Sequence, residues 1–534
     1  MGGCVRKDAF IIALSWAQRP RTVGLQTSPL IMPSNNSLPH FIVSRLRKIS
    51  FALLAVILLL GMAVGGIWQH LANGQDGHAG LLGNRTPGEI LRYTLHRLEG
   101  HPNLERLLTP KLRWIQRRYE RPVPDMPLPS LGKGQQAAAL PSQRYDLSGH
   151  PLATQLAPQV TASATGAVVV NSADSLVSAV HHAVAGQIIE IAPGSYRIHH
   201  AIGTDSAGTQ LNPITVRAAQ PGQVILEVDS EVAFRVSQPY WVFENMTVRG
   251  VCQEHRYCEH AFHVFGAAQQ TVIRNNRLED FNAHIKINGA GNAWPDNGLI
   301  QYNTLTNSTR RETALPVTPI DLVGANQWHV VDNLISNFVK GDGNLVSYGV
   351  FMKGASSGGR IERNLIICTP KDISQPGVRV GISFGGGGTG KPYCRDQACT
   401  AEHTAGLAAN NIVAHCNDFG VDVHDANSIL IAHNTLINTA GIDVRGAQAH
   451  ARLYANLLDG RLRQRDGGQI RSQFNSITEL SAVFDAADQL LLTWRVPPEN
   501  IPSLGLVPAD FLGQTRQDGT APGALAGTTL SDKI

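Results

Sequence analysis

Short runs in which apolar residues alternate with variable residues recur along the chain, and each run ends at a residue that turns the backbone easily. Alternation with period two is typical of a β-strand that has one buried and one outward face. Gly, Asn or Asp at the end of a run favours a turn. The pattern therefore predicts repeated short strands, and the runs begin at Phe262, Ile285, Ile320, Val350, Ile382, Val421 and Ile442.

Asparagines recur between these runs, and each precedes a short apolar segment. The step from one to the next is mostly 22 to 31 residues, and only the step from Asn364 to Asn411 is long. A repeat of this length corresponds to one coil of a solenoid. Stacked parallel strands, with the asparagines bonded to their copies at one corner, predict an all-β fold, the parallel β-helix. The asparagines are Asn245, Asn276, Asn303, Asn333, Asn364, Asn411, Asn434, Asn456 and Asn475.

Residues 49–68 form an apolar run without a charged side chain, and this run is long enough to span a bilayer. Arg45, Arg47 and Lys48 precede it, so the positive-inside rule places the N-terminus in the cytoplasm and the repeats outside. A cleaved signal peptide is the alternative, because small residues follow the run and Met32 could be the true start. The length of the run favours a membrane-anchored protein in the periplasm or at the cell surface over a secreted one.

These features divide the chain into six parts. A helix at the start of the repeats is expected to be capped by Ser172 or Asp174 and to run to about Ala185. The predicted parts are a cytoplasmic tail (1–48), the anchor (49–68), a helical membrane-proximal segment (69–120), a Pro-, Ala- and Gln-rich linker (121–165), the β-helix (166–480), and a C-terminal cap and tail (481–534).

Composition and cysteine positions agree with an exported protein. The net charge of +4 is too small and too dispersed to indicate a nucleic-acid partner. Six of the seven cysteines follow the apolar run, which permits complete pairing in an oxidising compartment. A zinc site at Cys252, His255, Cys258 and His260 is less favoured, because its spacing is irregular. The expected disulfides are Cys252–Cys258, Cys394–Cys399 and Cys368–Cys416.

The outward faces of the predicted strands carry the candidate chemistry. Asp422, His424, Asp443 and Arg445 fall on adjacent coils, and residues 369–405 form an insertion expected to overhang them. A solvated ion-pair ladder on an inert solenoid is the alternative. The first outward column is His263, Lys286, Asp321, Phe351, Ser383, Asp422 and Asp443, and the second is Phe265, Asn288, Val323, Lys353, Gly385, His424 and Arg445.

These residue types suit chemistry next to a sugar carboxylate. A proton beside a carboxylate is hard to remove until the negative charge is neutralised, and an arginine does this well. Histidine titrates near working pH and can take the proton, with Asp422 or Asp425 orienting His424. The residues predicted to bind substrate on the same face are Lys353, Lys286, Asp321, Phe351 and Asp425.

The repeats, together with the segments 174–180 and 187–196, resemble the right-handed parallel β-helix superfamily of pectate-lyase-like and chondroitinase-B-like proteins. The resemblance covers roughly residues 166–480 and implies a right-handed solenoid. It also implies a Lys and Arg pair with Ca²⁺ held by Asn and Glu, and Lys353 and Arg445 could imitate that pair. No matching acidic cluster is evident, so calcium is left open and no other cofactor is expected.

Residues 419–425 and 441–445 resemble the local pattern of β-helix alginate C5-epimerases, which is Asp-Pro-His-Asp followed by an arginine on the next coil. Val423 stands in place of the proline. In that family the histidine abstracts the C5 proton and the arginine neutralises the uronate carboxylate. The resemblance therefore implies that His424 is the base and Arg445 the carboxylate clamp.

The expected function is action on an acidic polysaccharide by C5 proton abstraction and β-elimination, as in a lyase. A C5-epimerase would share the first step. A glycoside hydrolase using Asp422 and Asp443 as paired carboxylates, and a noncatalytic glycan-binding surface protein, are further alternatives. The expected partners are the polysaccharide and, through the N-terminal helix, a membrane.

Overall fold

The computed structural model describes residues 166–370, 375–386, 388–503, 505, 507–517 and 519–526, with isolated positions between 107 and 152. The predicted anchor and nearly all of the membrane-proximal segment and linker lie outside the described residues. No helix in the described part is long and apolar enough to cross a bilayer. In the predicted linker, Arg144–Tyr145 pairs antiparallel with Pro151–Leu152.

The described repeats form three long parallel sheets. Sheet 1 contains Val168–Val170, Ile188–Ile191, Ile214–Ala218, Trp241–Glu244, Val272–Arg274, Leu299–Gln301, His329–Val331, Arg360–Glu362, Leu407–Ala409, Ile429–Ala432, His450–Tyr454 and Gln469–Gln473. Sheet 2 contains Gly194–Ile198, Val224–Val228, Thr247–Gly250, Arg277–Glu279, Thr304–Thr306, Leu334–Ser336, Leu365–Ile367, Ile412–Ala414, Thr435–Ile437, Leu457–Leu458 and Ser476–Ile477. Sheet 3 contains Ile202–Gly203, Val232–Val236, His260–Phe265, Ile285–Asn288, Ile320–Val323, Val346–Lys353, Val378–Phe384, Val421–His424, Gly441–Arg445 and Arg461–Arg465.

The chain visits the three sheets in turn, so each coil adds one strand to each sheet. Apolar residues occupy the same inward position in successive coils, as in the register Phe262, Ile285, Ile320. These side chains are fully buried in one continuous core. The predicted all-β parallel β-helix is therefore confirmed, and its interior is held together by burial of repeated aliphatic and aromatic side chains.

A ladder of buried asparagines runs along the corner between sheets 1 and 2. Asn333 shows the repeated geometry: its Nδ2 donates to Asn364 Oδ1 at 3.0 Å, and its Oδ1 accepts from the backbone N–H of Asn303 at 2.9 Å. The same bonds link every rung from Asn276 to Asn475. The predicted asparagine ladder is confirmed for these eight residues.

Asn245 is the exception. Its place in the ladder is taken by Met246, whose backbone N–H donates to Asn276 Oδ1. Asn245 lies one residue earlier, with φ of 69°, and its Oδ1 accepts from Asn275 Nδ2. The inclusion of Asn245 in the ladder was therefore wrong by one residue. The cause is that asparagine suits both this left-handed position and the buried rung that follows it.

The segments before and after the repeats pack in different places. At the N-terminal end, the helix Ala173–His181 buries Leu176 and Val180 and is capped by Ser172, which exchanges hydrogen bonds with Ser175. It ends before the predicted Ala185. Beyond Ile477, the chain packs along the outer faces of sheets 2 and 1, where Leu480, Phe484 and Phe511 join one apolar cluster and Ile501 and Val507 join another.

The remaining described elements are short. They are the helix Leu480–Val483, the 3-10 turns His255–Tyr257, Lys391–Tyr393 and Ala487–Gln489, the three-stranded sheet Ser356–Ser357, His403–Thr404 and Ala426–Asn427, and the antiparallel pair Phe484–Ala486 and Leu491–Trp494.

All three predicted disulfides are present. Cys252–Cys258 and Cys394–Cys399 close short loops, and Cys368–Cys416 joins neighbouring coils. Because Cys252 and Cys258 are bonded to each other, they do not supply the thiolates that the zinc alternative required.

Candidate functional site

The outer face of sheet 3 places the predicted columns in register. Lys286 pairs with Asp321, Asp321 with Phe351, Phe351 with Ser383, Ser383 with Asp422, and Asp422 with Asp443. In the second column, His424 pairs with Arg445. Sheet 3 contains three strands that the periodicity did not detect: Ile202–Gly203 and Val232–Val236 at its start and Arg461–Arg465 at its end. The last of these brings Arg463 beside Asp443 and Arg465 beside Arg445.

Charged side chains on the last three strands form a connected group, called here the arginine centre (Asp422, His424, Asp443, Arg445, Arg463 and Arg465). Arg445 holds Asp422 through two parallel hydrogen bonds, from Nε to Oδ1 at 3.1 Å and from Nη2 to Oδ2 at 2.8 Å. Arg465 contacts Asp443 through one oxygen only: its Nε donates to Oδ2 at 2.9 Å, and its Nη2 lies 2.9 Å from the same oxygen. Arg463 lies farther away, with Nε 3.9 Å from Asp443 Oδ1.

The carboxylates of the arginine centre lie beneath its cations. The side chains of Asp422 and Asp443 are 0% exposed, whereas those of Arg445, Arg463 and Arg465 are 23–24% exposed. Burial, followed by the neighbouring charge of Asp422, raises the pKa of Asp443 despite the opposing effect of Arg465. A ligand approaching this face meets the guanidinium groups first, because three cations cover two buried carboxylates.

His424 projects from the same strand as Asp422 and is about one-quarter exposed. Its Nε2 is 3.7 Å from Asp425 Oδ2, beyond hydrogen-bond distance, and its Nδ1 has no hydrogen-bond partner among the described residues. Asp422, considered from sequence as a partner that orients His424, is bonded to Arg445 instead. Burial and the charge of Arg445 lower the pKa of His424. The side chain therefore stays neutral at a lower pH than an ordinary histidine does.

Tyr348 is a site residue that the sequence pattern missed. It lies near the start of the strand Val346–Lys353, before the apolar alternation that marks that strand. Its ring stacks on Phe351 at 4.1 Å between centroids, and the charges of Asp422 and Arg445 act on its phenol. Burial, with the negative charge of Asp422 adding to it, raises the pKa of Tyr348 to about 12. The phenol therefore stays protonated at neutral pH.

A second group of charges, called here the lysine centre (Lys286, Asp321 and Lys353), occupies earlier coils of the same face. Asp321 is buried, and its two oxygens lie 2.5 Å from Lys286 Nζ and 3.3 Å from Lys353 Nζ. Burial alone would raise the pKa of Asp321, but the two ammonium charges outweigh it and the pKa is lowered. Two partly exposed ammonium groups thus share one ionised carboxylate.

The other two predicted ligand-binding residues, Phe351 and Asp425, differ in exposure. Phe351 is only 6% exposed, because Tyr348 stacks on it, Lys353 Nζ lies 3.9 Å from its ring centroid, and Gly386 closes over it. Asp425 forms the turn after its strand with φ of 50°, and its Oδ1 accepts from the backbone N–H of Gln448 at 3.4 Å.

The long insertion returns along the edge of sheet 3 towards earlier coils. Its described part after Phe384, residues 385–386 and 388–402, is called here the strap. Arg395 in the strap forms two bonds with Asp296, at 2.7 and 2.9 Å, and its backbone N–H donates to Gly354 O. Glu402 ends the strap and accepts from Gly354 N–H at 2.9 Å. The insertion therefore runs beside the coils that carry the lysine centre.

The donors on this face do not fit a calcium site. Asp321, Asp422 and Asp443 are buried and engaged by lysine or arginine. Among the described residues, no group of three or more His, Cys, Asp or Glu side chains is arranged to hold a metal ion. The oxygen-rich cluster that calcium requires is not built from these carboxylates.

Comparisons with known proteins agree with the fold. Residues 170–341 match the family model of chondroitinase B, a segment that contains Lys286 and Asp321 but ends before the arginine centre. A search of curated protein sequences gave no match. The parallel β-helix and this family match confirm the predicted resemblance to the pectate-lyase-like and chondroitinase-B-like superfamily at the level of the fold.

Three solved structures illustrate the likeness. The crystal structure of pectate lyase Pel9A is 14% identical, with 69% of this chain and 91% of that chain covered and a TM-score of 0.46. An alginate lyase from Paenibacillus sp. str. FPU-7 is 13% identical over 58% and 99% of the two chains, with a TM-score of 0.33. The A-module of the mannuronan C-5 epimerase AlgE6 from Azotobacter vinelandii is 12% identical over 57% and 88%, with a TM-score of 0.33.

Proposed function

We propose that this protein acts on an acidic, uronate-containing polysaccharide and removes the C5 proton of a uronate at the arginine centre. The observation that carries the proposal is the layering of that centre. Buried Asp422 and Asp443 hold the partly exposed guanidinium groups of Arg445 and Arg465, with that of Arg463 3.9 Å away, next to a histidine whose pKa is lowered. Such a surface can bind a sugar carboxylate and offers a neutral base beside it.

In the proposed reaction His424 takes the C5 proton. The electron pair left at C5 forms the C4–C5 double bond while the bond from C4 to the glycosidic oxygen breaks. Tyr348, whose raised pKa keeps it protonated, can give its proton to the departing oxygen. The surroundings thus lower the pKa of the proposed base, His424, and raise the pKa of the proposed acid, Tyr348.

The role proposed for Arg445 differs from the one expected from sequence. Nε and Nη2 of Arg445 are taken by Asp422, so the planar fork faces the protein and leaves Nη1 for the substrate. Neutralisation of the uronate is therefore proposed to come from the joint charge of Arg445, Arg463 and Arg465. A C5-epimerase is the second candidate, because the same residues could deliver a proton to the opposite face of C5 instead of to the leaving oxygen.

A glycoside hydrolase fits less well, since Asp422 and Asp443 are fully buried and both are engaged by arginines. A hydrolase needs one carboxyl group able to protonate the glycosidic oxygen and a second facing the sugar ring.

We also propose, from the apolar run at residues 49–68 alone, that the β-helix is held outside the cytoplasm by a membrane anchor.

The test is incubation of the purified protein with alginate, pectate and chondroitin, with ultraviolet absorbance reporting the unsaturated product and NMR reporting the C5 epimer ratio. The His424→Ala variant should lose at least about 10²-fold in turnover while keeping its melting temperature. Methyl-esterified pectate should react far more slowly than pectate, because its carboxylates are neutral. A folded His424→Ala variant with full activity would refute the assignment.

A further inference from the structure

A buried arginine lies where residues 507–517 and 519–526, called here the C-terminal arm, pack against the corner between sheets 1 and 2. Arg516 is only 5% exposed. Its Nη2 donates to Asn410 Oδ1 at 2.7 Å and to the carbonyl oxygens of Gly523 and Ala524 at 2.8 and 3.1 Å. Its Nε and Nη1 are also buried, and they have no hydrogen-bond partner in the described part of the chain. Most N–H groups of this guanidinium therefore lack an acceptor there.

The positive charge of Arg516 is poorly matched by its surroundings. Within the described residues, its hydrogen bonds go to neutral oxygens. Asp510 is the acidic residue whose charge acts on Arg516, but its oxygens accept from the backbone N–H groups of Leu512, Gln514 and Ala526. Burial lowers the pKa of Arg516 to about 10, so the guanidinium is still charged at neutral pH. A buried charge without an opposite charge in contact is costly.

The same corner holds an arginine whose charge is matched. Arg363, Asn410 and His433 each precede a ladder asparagine in three successive coils, and each has φ between 51° and 56°. Arg363 donates to Asp332 of the preceding coil through two bonds, at 2.7 and 3.2 Å. Arg516 reaches this column from the C-terminal arm and meets the neutral amide of Asn410 instead of a carboxylate.

His433 is the next residue of this column, one strand spacing of about 4.8 Å beyond Asn410, and it is fully buried. The carbonyl oxygen of Gly523 affects His433 but lies outside hydrogen-bond geometry, and neither ring nitrogen has a partner among the described residues. Burial and the charge of Arg516 lower the pKa of His433 to about 3. The neutral ring therefore keeps one N–H donor close to the guanidinium.

Two kinds of small ligand can accept hydrogen bonds from such buried donors. A water molecule would accept the bonds but leave the charge of Arg516 unmatched. A small anion would accept the same bonds and also match the charge, and charge-assisted bonds are the stronger ones. The carbonyl oxygens of Gly523 and Ala524 occupy the Nη2 side, so an anion would bind at Nε and Nη1.

We infer that Arg516 and His433 form a buried site for a small inorganic anion of the size of chloride, which holds the C-terminal arm against the corner of the solenoid. The inference does not depend on the proposed reaction. Because the anion would bind the folded protein and not the unfolded chain, stability should increase with anion concentration.

Thermal melting of the full chain in sodium chloride and in sodium gluconate, at equal ionic strength, tests the inference. Gluconate has the same charge but is too large for a buried site of this kind. The wild type should melt about 2 °C or more higher in chloride. Equal melting temperatures in the two salts would overturn the inference without any variant, because they would leave water as the ligand.

Two variants locate the effect. Arg516→Met removes the charge and should abolish the difference between the two salts. Arg363→Met is the matched control, because it removes an arginine of the same corner that already has Asp332 as its partner. It should lower the melting temperature in both salts and keep the difference between them. A difference that persists in Arg516→Met, or disappears in Arg363→Met, would overturn the inference.

A crystal of the wild type soaked in sodium bromide gives a test that needs no folded variant. Bromide has the charge of chloride and is located by its anomalous scattering. A peak should appear beside Nε and Nη1 of Arg516, within reach of the His433 ring. The absence of a peak at that position would overturn the inference.

Discussion

The asparagine corner and the outer face of sheet 3 are built from the same coils but obey opposite rules. At the corner, eight successive coils carry the same residue with the same hydrogen bonds. On the outer face, neighbouring coils carry lysine, aspartate, phenylalanine, serine and arginine in the same column. Repetition serves the stacking of coils, whereas departure from repetition marks the part of the surface available for chemistry.

The largest expected effect comes from the outer face. Tyr348→Phe keeps the ring that stacks on Phe351 and removes only the hydroxyl group. If Tyr348 is the proton donor, turnover should fall by about 10²- to 10⁴-fold with little change in melting temperature. Steady-state kinetics on the best polymer, with thermal melting of the same sample, checks this. Near-normal turnover would return Tyr348 to a packing role.

The next effect tests whether the outer face also has structural duties. Arg445→Met leaves the fully buried Asp422 without its bidentate partner and should cost about 3–5 kcal/mol of unfolding free energy. Adding Asp422→Asn should recover much of that loss but not the activity. A denaturation series over the wild type, both single variants and the double variant measures the coupling. Simple additivity would show that the pair is not energetically linked.

At the corner, the prediction is a loss of stability alone. Asn333→Leu removes bonds to Asn364 and Ile300 and leaves the amide of Asn303 without its acceptor, which should cost on the order of 1–3 kcal/mol. Asn475, the last rung, is a matched control because it is more exposed and water can replace its bonds. Asn475→Leu should cost less. Equal melting of Asn333→Leu and wild type would contradict a buried ladder.

The smallest effect is a shift in the pH profile. Burial and the charges of Arg445 and Arg465 lower the pKa of His424. His424 therefore stays neutral when the pH falls to about 6.5, the pKa of an unperturbed histidine. Activity should therefore decline only below that pH. Arg465→Gln should move the acid limb of the profile upward, because one cation that opposes protonation is gone. An acid limb above pH 6.5 in the wild type would contradict the assignment of His424 as base.

Much of the site could be read in advance because strand period and coil length fix the register. Once the turns were recognised, Asp422, His424, Asp443 and Arg445 had to project from neighbouring strands on one face, and they do. Arg463 and Arg465 were missed because the segment Arg461–Arg465 has one aliphatic residue and reads as a charged loop. Tyr348 was missed because it precedes the alternating run in its strand.

The sequence by itself determined the solenoid, the asparagine ladder and the disulfide pairs, because each repeats a local pattern or follows from the spacing of coils. Only the tertiary structure decided how the charges on the outer face are shared: Arg445 turns to Asp422, and Asp321 takes both lysines. The predicted columns show which side chains are neighbours on the sheet. Which carboxylate an arginine chooses, and how deeply that carboxylate is buried, depends on side-chain rotamers and on desolvation, and neither is encoded in the spacing of the chain.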